Sequence, residues 1–212
     1  EKLEKEGIKT HYRGVVEDDE AKKLADLNAP SNIVEIDLVR VVKPTVEDNS
    51  YDYSVFQEER KNLLIPIEII YRNSLPAGSS VFRRLKSGSL KLEDIGLDEM
   101  PSPGQKLDKP ILDVSTKLEV TDRYITWQEA QEICNLSDEE LDSIKDLTLK
   151  INDYITEEAE KIGLTNEDGK IELAFDENRN IMLVDALGTL DESRFTYDGR
   201  SVSKEIARKY YR

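Results

Sequence analysis

Two short stretches, residues 64–72 and 170–185, set charged side chains at strand spacing inside apolar runs, and nothing else constrains this chain as much. Burying a charge costs stability unless it meets a ligand, a metal or another charge. The first stretch reads Leu-Ile-Pro-Ile-Glu-Ile-Ile-Tyr-Arg, and successive side chains on a strand point to opposite faces. Ile65, Ile67, Ile69 and Tyr71 therefore share one face, while Glu68 and Arg72 share the other with Leu64, Pro66 and Ile70. At about 3.3 Å per residue, Glu68 and Arg72 lie roughly 13 Å apart, so each needs its own partner. Pro66 brings no amide to a ladder, which predicts an edge or the start of pairing. Alone, the stretch also fits an edge strand with one wet face. The small turn that follows, Ala77-Gly78-Ser79-Ser80, leads into residues 81–85 and lets backbone amides and hydroxyls approach an anion.

In the second stretch Ile171, Leu173 and Phe175 alternate with Lys170, Glu172 and Ala174, the pattern of a half-buried strand. Residues 176–180 read as a tight connection and 181–184 as the returning strand. With a four-residue connection, Glu177 to Asn180, Glu172 faces Asp185; with five, the two acids turn to opposite faces. Facing carboxylates repel unless a cation lies between them, and Mg²⁺ holding a nucleotide's phosphates is the usual occupant. The alternative is a solvated hairpin with scattered charge. Against it, Asp185 follows an apolar run of the kind that is buried.

The remaining pattern predicts an α+β fold, an antiparallel sheet with flanking helices. Residues 1–6 read as a helix tail closed by Gly7, and 33–42 as a strand ended by Pro44. The polar segment up to Asn62 reads as an insertion loop anchored by Tyr51, Tyr53 or Phe56. Residues 85–110 are loop-rich, and 111–120 form another strand. Two helices follow, each opened by a capping box, Thr126 with Glu129 and Ser137 with Glu140. Leu141, Ile144, Leu147, Ile151, Tyr154, Ile155 and Ile162 give the second its core face, Gly163 closes it, and a terminal helix starts at Lys204. The chain divides into 1–43, the 44–62 insertion, and 63–212 carrying the site.

Composition mostly excludes. With 45 acidic and 30 basic residues the net charge is −15, which argues against a nucleic-acid surface. The single Cys134 rules out an internal disulfide and a cysteine zinc cluster, and it is expected to pack as a small hydrophobe on a short helix. No apolar run approaches the ~20 residues of a membrane span, and no signal peptide is visible, so a cytoplasmic enzyme is expected. His11, the only histidine, is read as structural rather than as a general base.

The motifs resemble the SAICAR synthetase (phosphoribosylaminoimidazole-succinocarboxamide synthase) family of purine biosynthesis. Residues 64–79 are similar to its apolar-Pro-apolar-Glu…Arg…Ala-Gly-Ser signature, and Asp168-Gly-Lys170-Ile-Glu172-Leu-Ala to its Asp-x-Lys-apolar-Glu-Phe-Gly strand. Gly7 to His11, Lys117 to Asp122, Asp191 to Arg194 and Val202 to Glu205 extend the likeness in order over nearly the whole chain. Departures are Tyr71 in place of a small apolar residue, an extra residue before Ala77-Gly-Ser, Leu173-Ala174 for Phe-Gly, and a less acidic run at 117–119.

The resemblance implies a kinase-like, ATP-grasp-like cleft between two lobes, with the N-terminal lobe and its phosphate-covering glycine-lysine hairpin lying before Glu1. It implies an ATP- and Mg²⁺-dependent ligase that joins L-aspartate to a carboxyaminoimidazole ribonucleotide through an acyl phosphate, working as a homodimer. Glu172 and Asp185 would hold the metal, and Lys170 would contact substrate or phosphate. Arg72, Ser79 and Arg194 would cradle the ribonucleotide phosphate, since guanidinium forks suit phosphate. Asp191 would orient Arg194, and Glu68, Lys117 and Asp122 would contact substrate. A non-catalytic nucleotide-binding relative and a ligase for a different acid are the alternatives.

Overall fold

A computed structural model describes residues 1–48 and 50–211. The elements are α1 (Lys2–Lys5), β1 (Tyr12–Glu17), β2 (Glu20–Lys22), β3 (Val34–Ile36), β4 (Thr45–Glu47), β5 (Ser50–Asp52), α2 (Val55–Glu58), β6 (Leu63–Leu75), α3 (Ser80–Ser87), β7 (Gln105–Thr116), α4 (Trp127–Cys134), α5 (Asp138–Glu160), β8 (Thr165–Phe175), β9 (Ile181–Val184), β10 (Ser193–Tyr197), β11 (Arg200–Ser201) and α6 (Glu205–Tyr211). The main sheet runs β11-β10-β8-β6-β7, with β9 also paired to β8; β2-β1-β3 and β4-β5 form smaller sheets. This is the α+β, antiparallel architecture that the pattern predicts. Among the described residues no helix is long and apolar enough to cross a membrane.

The central strand β6 divides the molecule. Its odd side, Ile65, Ile67, Ile69 and Tyr71, is fully buried and packs with Ala130 and Cys134 of α4 and Ile144 and Ile151 of α5. A sheet face covered by helices in this way supplies most of the apolar burial that stabilises such a domain. The even side carries the charges.

Several sequence expectations need correction. Pro66 marks no edge, because β6 is flanked on both sides; it lies within a register irregularity against β8, between Leu64 and Glu68, while its carbonyl accepts from Lys117 N–H at 3.0 Å. A local slip of the ladder is what lets an interior strand tolerate a missing donor. The strand expected over 33–42 shrinks to β3, which pairs only with β1, and Leu38 is 84% exposed. The loop-rich 85–110 segment begins inside α3, capped by Ser79 and by Gly88 at φ 76. Strand β7 begins at Gln105 and ends at Thr116, with Pro110 on an outer strand where its missing N–H is harmless. Only Ser137 and Glu140 complete a capping box; Thr126 accepts from Glu129 N–H, but the Glu129 carboxylate pairs with Arg123 at 2.6 Å instead. Helix α5 ends at Glu160, leaving Ile162 69% exposed.

The β8–β9 connection has five residues rather than four, pairing Glu172 with Val184 and Phe175 with Ile181. Asp176 sets that length: its carboxylate accepts from the amides of Asn178 and Asn180, both at 2.8 Å, and its own N–H donates to Asn180 O at 3.0 Å. Arg179 takes the left-handed φ of 64° that closes the turn.

Tyr71, unusual at its position, is accommodated by Gly169, its partner across β6 and β8. A Cβ at Gly169 would collide with the Tyr71 hydroxyl and with Ser193 Oγ, which hydrogen-bond each other at 3.1 Å. Gly169→Ala is therefore expected to cost about 1–3 kcal/mol through overpacking. The double change with Tyr71→Val should relieve the clash at the expense of a cavity, so the two effects should not add. Urea unfolding of the variants checks this, and strict additivity would show that the tyrosine and the glycine are not coupled.

Candidate active site

The even face of β6 and its neighbours is a checkerboard of charge. Opposed residues on antiparallel strands share a face, so Glu68 stands with Glu172 and Ser115, Ile70 with Lys170 and Asp113, and Arg72 with Asp168. Every charge here finds an opposite one. Glu68 is 5% exposed and accepts from Lys170 at 2.6 Å and Lys117 at 3.3 Å, while Lys117 also bonds Glu172. These lysines separate two buried carboxylates that would otherwise repel across the strands.

At the other end of the face Arg72 is 2% exposed, between Asp113 at 3.1 Å and Asp168 at 3.3 Å. Asp113 also binds Arg84 at 2.5 Å, and the Arg84 guanidinium lies 4.0 Å from the centre of the Tyr124 ring. Asp168 reaches outward to Arg194 through both carboxylate oxygens. Arg72 Nε is buried without a partner among the described residues. Three arginines share two aspartates here, which leaves this end of the face one positive charge in excess.

The acid cluster forms where β8 changes partner. Its first half pairs with β10, its second with β9, and the β9–β10 connection crosses in between. Glu172, Asp185 and Glu192 meet at this junction, each with a carboxylate oxygen within 4.8 Å of the other two. The register alone would have turned Asp185 away from Glu172. Asp185 lies beyond the end of β9, however, with φ at 62°, and strand parity stops applying at a left-handed residue. The expected pairing was wrong by one position, yet the acids converge. Burial pushes the Glu172 carboxyl upward, with Lys117 opposing and Asp185 reinforcing the shift. His11 also lies here, beside Asp185: burial lowers its pKa against the pull of that residue.

A cavity of about 620 Å³ opens over this face. Glu68, Arg72, Asp122, Lys170, Asp191 and Arg194 line it. Lys117 and Glu172 join through their contacts with Glu68 and each other, and Asp185 through the acid cluster. Ser79 is placed differently: it is 5% exposed, its hydroxyl caps α3, and Gly78 and Ser80 line the cavity instead. Asp191 does not orient Arg194, since it pairs with Lys204 at 3.2 Å and Asp168 takes the orienting part. Sequence reasoning missed Asp113, Arg84 and Glu192. Asp113 had a signal, because 113 and 115 share one face of β7, with Lys117 just beyond its end.

The SAICAR synthetase family model matches residues 1–212. A putative phosphoribosylaminoimidazole-succinocarboxamide synthase of Archaeoglobus fulgidus is 51% identical over the whole chain, which covers 62% of that protein. The Thermoplasma acidophilum synthase is 44% identical over 70% of this chain and 52% of its own length. The chain thus spans between half and two thirds of these curated relatives. Among solved structures, a SAICAR synthetase in complex with ADP superposes with a TM-score of 0.66 at 24% identity, covering 99% of this chain and 68% of that one. The Saccharomyces cerevisiae enzyme complexed with SAICAR gives 0.62 at 21%, covering 99% and 65%; at these identities the likeness shows the fold. With the family model matched from end to end and the charged strands in place, the chain belongs to the SAICAR synthetase family.

Proposed function

We propose that the protein of which this chain forms part joins L-aspartate to a carboxyaminoimidazole ribonucleotide, converting ATP to ADP and phosphate. The observation that carries the reading is one cavity with an arginine-rich wall, Arg72 and Arg194, and an acid cluster, Glu172, Asp185 and Glu192, at its other side. Solved relatives of the same fold are complexed with ADP and with SAICAR, which supports the ligand classes of the reading.

The donor set fits Mg²⁺. Three carboxylates converge and oxygen donors suit this hard cation, and Glu172 among them is buried, which raises its pKa, so a cation here would favour its charged form. When bound, the ion would neutralise charge on the phosphates during transfer. The protein's own residues do the rest. Arg194, fixed by Asp168, would hold the ribonucleotide phosphate, with Arg72 behind it. Lys170, with its ammonium held charged by Glu68 and Glu192 despite burial, would face the reacting oxygens. The substrate carboxylate would attack the γ-phosphorus and expel ADP. The aspartate amine would then attack the acyl carbon, losing a proton and expelling phosphate. No side chain need form a covalent bond.

Turnover of the full-length protein tests this: product should form only when ATP, Mg²⁺, L-aspartate and the ribonucleotide are all present. ATP consumption that is independent of aspartate, or acceptance of a different acid, overturns the reading. Arg194→Lys is expected to raise KM for the ribonucleotide about 5- to 150-fold, the equivalent of about 1–3 kcal/mol, with KM for ATP little changed, because a planar fork becomes a point charge. An equal rise for both substrates removes Arg194 from the phosphate site.

A further inference from the structure

Among the described residues, the 44–62 segment lines no part of the cleft itself and reaches it through the loop after β7. Its helix α2 is tied to α4, with Gln57 Nε2 donating to Glu132 O at 3.1 Å. Phe56 is 1% exposed and packs its ring near Tyr53. From this base two hydroxyls reach the loop between β7 and α4. Tyr51 Oη accepts from Val120 N–H at 2.8 Å, and Tyr53 O–H donates to the Glu119 carboxylate at 2.9 Å. Burial and the Glu119 contact both raise the Tyr53 pKa, which keeps it a donor.

At its root Thr116 and Arg123 close the loop backbone to backbone at 2.9 Å, Lys117 bonds Glu68 and Leu118 packs inward, and the Arg123 side chain pairs with Glu119 at 3.0 Å and with Glu129 of α4 at 2.6 Å. Its tip stands clear, with Val120 93% exposed, yet Val120, Thr121 and Asp122 form one wall of the cavity opposite Arg194. A loop tip with little packing of its own samples many conformations unless tied.

We propose that the 44–62 segment is a positioning brace for the cleft: the Tyr51 and Tyr53 hydroxyls fix the 117–123 loop, and so the Asp122 wall against which the ribonucleotide is held. Neither tyrosine touches the cavity, and each acts through the loop. The proposal rests on the function argued above. The double variant Tyr51→Phe/Tyr53→Phe keeps both rings and removes only the two hydroxyl contacts.

The test compares the full-length wild type with this variant by deuterium exchange over residues 117–123 and by steady-state kinetics. Exchange across the loop should quicken about tenfold, as expected for two lost hydrogen bonds. KM for the ribonucleotide should rise by about the same factor, while KM for ATP and kcat stay within about twofold. Faster exchange with unchanged KM would make the segment merely structural, and unchanged exchange would remove the brace altogether. A wild type without turnover fails the functional reading instead, and the exchange result still decides whether the hydroxyls hold the loop.

Discussion

Arg72→Leu is expected to destabilise the protein by about 3–5 kcal/mol, the cost of leaving buried charge without its partner. The geometry explains the size. Arg72 has almost no exposure, and Asp113 and Asp168 flank it with side chains 7% and 5% exposed. Ser80 and Tyr124 add hydrogen bonds at 3.3 and 3.4 Å. Removing the guanidinium brings two carboxylates face to face across β6 with only Arg84 and Arg194, at the margins, to hold them. Asp113→Leu should itself be costly, since it takes the carboxylate from Arg84 and leaves Arg72 with Asp168 alone. Combined with Arg72→Leu, it should cost less than the sum of the single changes by about 1 kcal/mol or more, because the second change removes a charge that the first had orphaned. Urea unfolding of the three variants decides this. A single-variant loss below about 1 kcal/mol would place Arg72 in contact with water, contrary to its burial.

The parts of the fold that were legible in the sequence obey local rules. Alternation placed Ile65, Ile67, Ile69 and Tyr71 inside and Glu68 and Arg72 on the opposite face, and the Ser137 capping box started α5 where it begins. What failed depended on partners distant in sequence. Pro66 looks like an edge until a register slip against β8 supplies the tolerance, and nothing near residue 66 encodes that slip. The strand over 33–42 needed a neighbour along its whole length and found β1 at one end and a single bridge, Arg40 to Leu63, at the other. The hairpin register turned on whether Asp176 would gather the turn amides, a choice that residue type permits but does not force.

The site divides in the same way. Glu68, Arg72, Lys170 and Glu172 were found because period two carries strand residues to one face. Glu192 and Asp185 lie in the connection between β9 and β10, where no period operates, and it is the change of partner along β8 that brings them to Glu172. Asp191, three residues before Arg194, suggested a local pairing, but the carboxylate that orients Arg194 came from the facing strand, at Asp168. Across antiparallel strands, directly opposed residues interact more reliably than residues three apart along one strand.

Asp185→Asn is expected to weaken divalent-cation binding about a hundredfold, and Lys117→Met to tighten it severalfold. Both follow from the same cluster. Glu172, Asp185 and Glu192 offer three oxygens within 4.8 Å, and Lys117 currently serves as counter-ion to the most buried of them. A cation entering the cluster competes with that ammonium for Glu172. Removing Asp185's charge takes away one of three ligands; removing the lysine frees one. Mn²⁺ titration followed by water-proton relaxation measures both without reference to turnover, and a chelator should reverse the signal. Lys117→Met leaves Glu68 with Lys170 at 2.6 Å, so the neighbouring carboxylate keeps a partner and the variant should fold. Unchanged Mn²⁺ affinity in Asp185→Asn would mean that the three acids do not act as one site. A Lys117→Met protein that binds Mn²⁺ no better than wild type would mean that lysine is the only cation this cluster was built to hold.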